Sequence, residues 1–144
     1  MTLAPGLQAR LLIMVEREDT AEKVSSGDVP VLATPRLLAL AEQATVQAVA
    51  GVLDPGQTSV GTRVALEHLA ASAIGSHVEI SAELTEVDGR RLVFGFVARH
   101  RDAVGGREAV GGREAVGGRE AVVATGTIER VVVDRERFLA RLTR

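Results

Sequence analysis

Two titratable residues stand out because their neighbours are apolar. Glu42 lies in a run of Leu, Ala and Val from Arg36 to about Val52 that is typical of a helix. No Lys or Arg lies three or four residues from Glu42, so no cation on the same helix is placed to pair with it. Burial there would raise the pKa of Glu42 and suit it to proton transfer or nucleophilic attack near neutral pH.

His68 is the second such residue. Alternation predicts a strand from Val60 to Ala70, in which Arg63 marks the wetter face and Gly61 shares it. His68 falls on the apolar face that a covering helix would bury. A lone His on such a face is more often a hydrogen-bonded core residue than a catalyst. A lone Glu in an apolar helix is less common than a lone His, because a buried carboxylate is costly unless it is paired. Glu42 and His68 together are therefore a candidate acid–base pair.

The helix that carries Glu42 has clear boundary signals. Thr34 before Pro35 predicts the start, because threonine caps free N–H groups and proline loses no hydrogen bond at the first helical position. Asp54-Pro55-Gly56 predicts the end of the run.

Composition narrows the class of protein. The 144 residues predict a single domain over 1–144, and a net charge of −2 argues against nucleic acid or an anionic membrane as partner. The chain has no cysteine, and its three histidines lack ligand-like spacing, so we expect neither a metal site nor a cofactor. No secretory signal and no apolar run of about 18 residues is present, so we expect a soluble, cytoplasmic protein without a membrane span.

The remaining elements predict one antiparallel sheet. Alternating segments predict strands over 8–16, 60–70, 78–85, 92–99 and 122–133, with a tight turn at Asp88-Gly89 and a short terminal helix capped by Asp134. One strand, a long apolar helix and four further strands describe an α+β protein whose sheet wraps around one central helix, the hotdog fold. Its open sheet edge and thin core favour a homodimer.

Arg130 interrupts the apolar face of the last strand, and Glu129 on the opposite face is not placed to neutralise it. Its side chain either reaches water from an edge strand or contacts an anion or a thioester carbonyl.

A six-residue sequence, Ala-Val-Gly-Gly-Arg-Glu, is repeated three times without interruption over 103–120. The repeat predicts a flexible Gly-rich hairpin tip or loop without a catalytic role. A hexapeptide β-helix is a weaker alternative, since three copies form only about one coil.

Several of these residues resemble the fluoroacetyl-CoA thioesterase family. The similar segments are 29–35, Glu42, 54–62 and His68, and 126–130 matches the family's late strand. The resemblance implies hydrolysis of an acyl-CoA thioester by Thr34, Glu42 and His68. It also implies that Gly61 and Arg130 contact the substrate.

The roles within this set remain open. His68 is a candidate general base that later protonates the leaving thiolate, and Glu42 either orients His68 or attacks the thioester to form an anhydride. Thr34 is either a hydrogen-bond donor or the nucleophile, with N–H groups at the helix start stabilising the oxyanion. Thr34 and Glu42 are separated by about 12 Å of helix, so a compact set requires the chain to curl back or a member from a neighbouring subunit.

Two rival functions use the same features. One is a non-catalytic hotdog dimer that binds an acyl group or an acyl carrier. The other is hydration or dehydration of an enoyl thioester by Glu42 and His68.

Overall fold

The computed structural model describes residues 2–101 and 121–143, so the prediction for the repeat at 103–120 lies outside the described residues. None of the helices within these ranges is both long and apolar enough to cross a membrane. The elements are β1 Gln8–Met14, α1 Ala21–Val24, α2 Thr34–Val49, β2 Gln57–His68, β3 His77–Asp88, β4 Arg91–Arg101, β5 Val122–Asp134 and α3 Arg135–Ala140.

The five strands form one antiparallel sheet in the order β1-β3-β4-β5-β2. Helix α2 packs against the sheet, with Leu37, Leu40 and Ala44 in the same buried cluster as Ile80 and Phe96. The prediction of an α+β fold with a sheet around one long helix is confirmed. Strands β1 and β2 are the two edges of the sheet, and β2 carries His68.

The start of α2 differs from the prediction in one respect. Pro35 lies in the first turn as expected, but Ala33 occupies the N-cap position and Thr34 is already helical. Thr34 does not cap the helix, because its hydroxyl is hydrogen-bonded to His68 instead. The prediction of a threonine cap was wrong, and the hydroxyl is held at the end of β2.

A β-bulge in β2 reverses the predicted alternation for the residues that precede it, while His68 keeps its predicted face. The β2–β5 register shifts between Gly61 and Arg63, so Thr62 is an extra residue. Gly61 is paired with Arg130, whose side chain lies on the helix-facing side, and paired residues of antiparallel strands share a face. Gly61 therefore faces the helix, and its prediction on the wetter face was wrong.

Two local signals are confirmed. The β3–β4 turn has Gly89 at φ +63°, a backbone conformation that glycine adopts without strain. Asp134 caps α3, since its side chain accepts a hydrogen bond of 2.9 Å from the backbone N–H of Arg137.

Gly126 on β5 is a position where only glycine fits. A Cβ atom there would overlap the backbone carbonyl of Ala65 and lie 2.7 and 2.8 Å from the ring of Phe96. We expect Gly126→Ala to lower the free energy of unfolding by about 2 kcal/mol or more, measured by denaturant titration. Gly51→Ala is the control, because nothing lies within 4 Å of a Cβ at that site. Equal stability of the two variants would contradict the prediction.

Candidate active site

The first residue of α2 meets the last residue of β2. The Oγ1 atom of Thr34 lies 2.7 Å from Nδ1 of His68, a good hydrogen-bond distance. Either Thr34 donates its proton to the ring, or the ring donates to the hydroxyl, depending on the histidine tautomer. A hydroxyl and an imidazole in this arrangement can pass a proton between them.

The environment of His68 favours the neutral ring. Burial lowers the pKa of His68 below its ordinary value, while the backbone of Ala70 opposes this by favouring the charged form. The Nε2 atom is buried and has no hydrogen-bond partner of good geometry within residues 2–101 and 121–143. At neutral pH, His68 is therefore an uncharged base whose second nitrogen is not hydrogen-bonded by any of the described residues.

A cleft of about 300 Å³ adjoins this pair. It is bounded by Ala21 and Ser26, by residues 31–34 before and at the start of α2, and by residues 68–71 after β2. Thr34 and His68 are thus at the wall of a space that could hold part of a ligand.

Glu42 pairs with Arg130 and not with His68. Its Oε2 atom lies 3.6 Å from Nη1 of Arg130, and the Arg130 side chain is only 8% exposed. Arg130 also donates from Nε to the Ser59 hydroxyl at 2.8 Å and from Nη2 to the Ser59 carbonyl at 3.0 Å. Burial lowers the pKa of Arg130, and the charge of Glu42 opposes that change, so the guanidinium remains charged.

The expectation that Arg130 reaches water from an edge strand was wrong. Strand β5 lies between β4 and β2, and Arg130 points to the buried side of the sheet. Its partner Glu42 was missed, because the two residues are far apart in sequence. Ser59 was missed because the bulge moves it to the same face as Arg130.

Gly61 lies directly under the Glu42 carboxylate. A Cβ atom at Gly61 would lie 2.6 Å from Oε2 of Glu42 and 3.5 Å from Nη1 of Arg130. Any side chain at this position would displace the carboxylate. The bare backbone of Gly61 therefore allows Glu42 to lie at the edge of the sheet.

The five predicted residues fall into two groups within one chain. Glu42, Gly61 and Arg130 form one group, and Thr34 and His68 form the other. Gly61 and His68 are roughly 20 Å apart along β2. Across the described residues, no hydrogen bond or ion pair joins Glu42 to His68. Within the same ranges, no group of three or more His, Cys, Asp or Glu is placed to hold a metal ion.

A second, partly buried histidine supports the segment after β2. The Oγ atom of Ser72 lies 2.8 Å from Nε2 of His100, and the Ser72 carbonyl accepts a hydrogen bond from the N–H of Leu32. Ser72 is 1% exposed, and burial lowers the pKa of His100. Ser72 therefore joins the segment before α2 to the segment after β2, which are the two sides of the cleft. No motif in the sequence indicated these contacts.

The sequence matches one characterised family. Residues 15–110 match the model of the FlK family, described as fluoroacetyl-CoA-specific thioesterase. The fluoroacetyl-CoA thioesterase of Streptantibioticus cattleyicolor is 36% identical over 112 residues, which cover 78% of this chain and 68% of that protein.

Solved structures give the same result. A structure of the fluoroacetyl-CoA thioesterase superposes with a TM-score of 0.78 at 28% identity, over 99% of this chain and 96% of that chain. A thioesterase superfamily member from Thermus thermophilus superposes with a TM-score of 0.78 at 21% identity, over 96% and 90% of the two chains. The second match shows the fold alone.

Proposed function

Because this chain belongs to the fluoroacetyl-CoA-specific thioesterase family and is a hotdog thioester hydrolase, we propose that it cleaves an acyl-CoA to the free acid and CoA with Thr34, Glu42 and His68. The observation that carries the residue assignment is the 2.7 Å contact between Thr34 Oγ1 and His68 Nδ1 at the wall of an apolar cleft.

The neutral ring of His68 supplies the base. In one route it takes the Thr34 proton as the hydroxyl attacks the thioester carbonyl, and the resulting imidazolium protonates the departing thiolate. Water, activated by the same ring, then hydrolyses the acyl-threonine. In the other route the Glu42 carboxylate attacks the thioester carbonyl and expels the CoA thiolate, which leaves an anhydride. His68 then takes a proton from the water that cleaves the anhydride and passes it to the thiolate. In both routes free N–H groups in the first turn of α2 stabilise the oxyanion.

The two groups of residues meet if the site is shared by two subunits. Strand β2 is a sheet edge, and residues 61–65 on it are exposed. We propose that two copies pair their β2 strands antiparallel about a two-fold axis at Ala65. Thr62 bulges out of the ladder and takes no partner in this pairing, so Gly61 lies opposite the partner's His68. Both residues are on the helix-facing side of the sheet.

This pairing brings the Thr34–His68 group of one subunit next to the Glu42–Arg130 group of the other. Glu42 Oε2 lies over Gly61, so its carboxylate would approach the unused Nε2 of the partner's His68. Thr34 and His68 of one subunit would then act with Glu42 and Arg130 of the other. The bare backbone of Gly61 leaves room for the thioester, and Arg130 holds the carboxylate in place and faces the carbonyl oxygen. Thr34 and Glu42 of one chain are about 12 Å apart along α2, but in this arrangement they belong to two different sites.

Thiol release from a panel of acyl-CoAs, with mass analysis of the products, tests the function. We expect equimolar free acid and CoA, and far less of both with Glu42→Gln. A non-catalytic acyl-binding dimer would instead show saturable binding without turnover. An enoyl-CoA hydratase would give a product heavier by one water without CoA release. Either of those two results would overturn the proposal.

The pH dependence of turnover follows from the environment of His68. Burial lowers the pKa of His68, whereas the partner's Glu42 carboxylate beside the ring would raise it. Only the neutral ring accepts a proton, so kcat/KM is expected to rise with pH to a plateau as the ring loses its proton. Initial rates across about pH 4.5–8 at constant ionic strength provide the measurement. A value of kcat/KM that stays constant or falls as the pH rises through this range would contradict the assignment of His68 as base.

A further inference from the structure

The cleft beside Thr34 and His68 has a consistent chemical character. Seven of the ten residues around it are aliphatic, namely Ala21, Val31, Leu32, Ala33, Leu69, Ala70 and Ala71. The other three are Ser26, Thr34 and His68, so among residues 2–101 and 121–143 of one subunit no carboxylate, lysine or arginine lines the cleft. Resting on the proposed function, we propose that the cleft holds the acyl group and that the preferred substrate carries an uncharged aliphatic chain longer than acetyl.

The walls of the cleft are fixed by hydrogen bonds. The N–H of Ala21 donates to the carbonyl of Val31 at 2.8 Å, and the N–H of Ala33 donates to the carbonyl of Asp19 at 2.9 Å. Arg36 and Asp19 add an ion pair at 2.9 Å. The wall formed by α1 is therefore attached to the segment that leads into Thr34.

The opposite wall is fixed in the same way. The N–H of Leu32 donates to the carbonyl of Ser72 at 2.8 Å, and Val31 forms a β-bridge with Ala73. The shape of the cleft is therefore set by backbone contacts, and its small side chains leave the space open.

Size and polarity define the acyl class. A space of about 300 Å³ is at the lower end of ordinary ligand pockets, and a two-carbon acyl group would leave most of it unfilled. Each added methylene that leaves water for an apolar wall favours binding by roughly fourfold. An acyl group that ends in a carboxylate would have to lose its hydration, and the described residues of the wall offer no cation to compensate.

The test compares kcat/KM for acetyl-, butyryl-, isovaleryl-, hexanoyl- and succinyl-CoA with the full-length protein. We expect a rise of roughly fourfold per methylene from acetyl until the cleft is filled, and succinyl-CoA below butyryl-CoA by about tenfold or more. Constant kcat/KM across the series, or a maximum at acetyl, would overturn the acyl class while leaving the hydrolase proposal intact. Absence of turnover with every substrate would instead overturn the proposed function.

A variant that fills the cleft locates the acyl chain. Ala71 is exposed at the cleft wall, so Ala71→Leu should fold and should reduce the ratio of hexanoyl- to acetyl-CoA kcat/KM by about tenfold. Ala140→Leu, at an exposed site on α3 away from the cleft, is the matched control and should keep the ratio of the parent. If Ala71→Leu raised KM for all substrates equally, the cleft would hold the pantetheine arm and the proposal would be wrong.

Discussion

Replacing His68 by alanine is expected to lower kcat/KM for acyl-CoA hydrolysis by about two to four orders of magnitude, the usual contribution of a positioned acid–base group. The variant loses the ring that accepts a proton at Nδ1, 2.7 Å from Thr34, and the unpaired Nε2. Steady-state rates on the best substrate of the panel, with the folded fraction checked by circular dichroism, give the measurement.

His77→Ala is the matched control for this variant. His77 opens β3 and is only partly buried, and its ring makes no hydrogen bond within residues 2–101 and 121–143. Turnover of His77→Ala is expected to stay within about twofold of the parent, since surface changes away from the site have small effects. Equal losses in the two histidine variants would indicate a structural effect and remove His68 from the mechanism.

Mixing two inactive variants is expected to restore activity. When Glu42→Gln and His68→Ala chains are refolded together, about half of the dimers are mixed, and each mixed dimer has one site with both residues intact. Turnover should therefore recover to about a quarter of the parent value, from a level near zero for either variant alone. The same chains mixed without refolding should recover activity only as fast as subunits exchange.

Two outcomes would reject the shared site. In the first, mixed dimers purified by two different affinity tags would have no more activity than either single variant alone. That result would mean that Glu42 and His68 of the same chain act in one site. Sedimentation or light scattering could instead show a monomer that hydrolyses acyl-CoA. A second mixture, of Thr34→Ala with His68→Ala, should stay inactive, because those two residues come from the same subunit in the proposed arrangement.

The fold was largely predictable because its signals are local. Alternation identified five strands, and the apolar run after Pro35 identified α2. The β3–β4 turn requires a positive φ at one of its own residues, and Gly89 provides it. The order of the strands in the sheet was not predicted, because no local pattern specifies which strands are neighbours.

The site was less predictable because its contacts are not local. Alternation assumes an unbroken strand, and the bulge at Thr62 places Gly61 on the opposite face from the one predicted. The same bulge places Ser59 on the face of Arg130. The Glu42–Arg130 pair joins a helix to a strand across the core, which residue spacing does not reveal. Candidate residue types were identified, but their grouping into Thr34 with His68 and Glu42 with Arg130 required coordinates.

The bulge also has a bearing on how this site can change over evolutionary time. If β2 were regular here and Thr62 took a place in the ladder, Thr62 would be paired with Arg130, and its side chain would lie beneath Glu42 in place of Gly61. The branched side chain would then occupy the space of the carboxylate, although every proposed catalytic residue would still be present in the sequence. A relative in which this strand is regular and has no bulge can therefore keep Thr, Glu and His and still have no working arrangement of them, so an inspection of motifs alone would misclassify it.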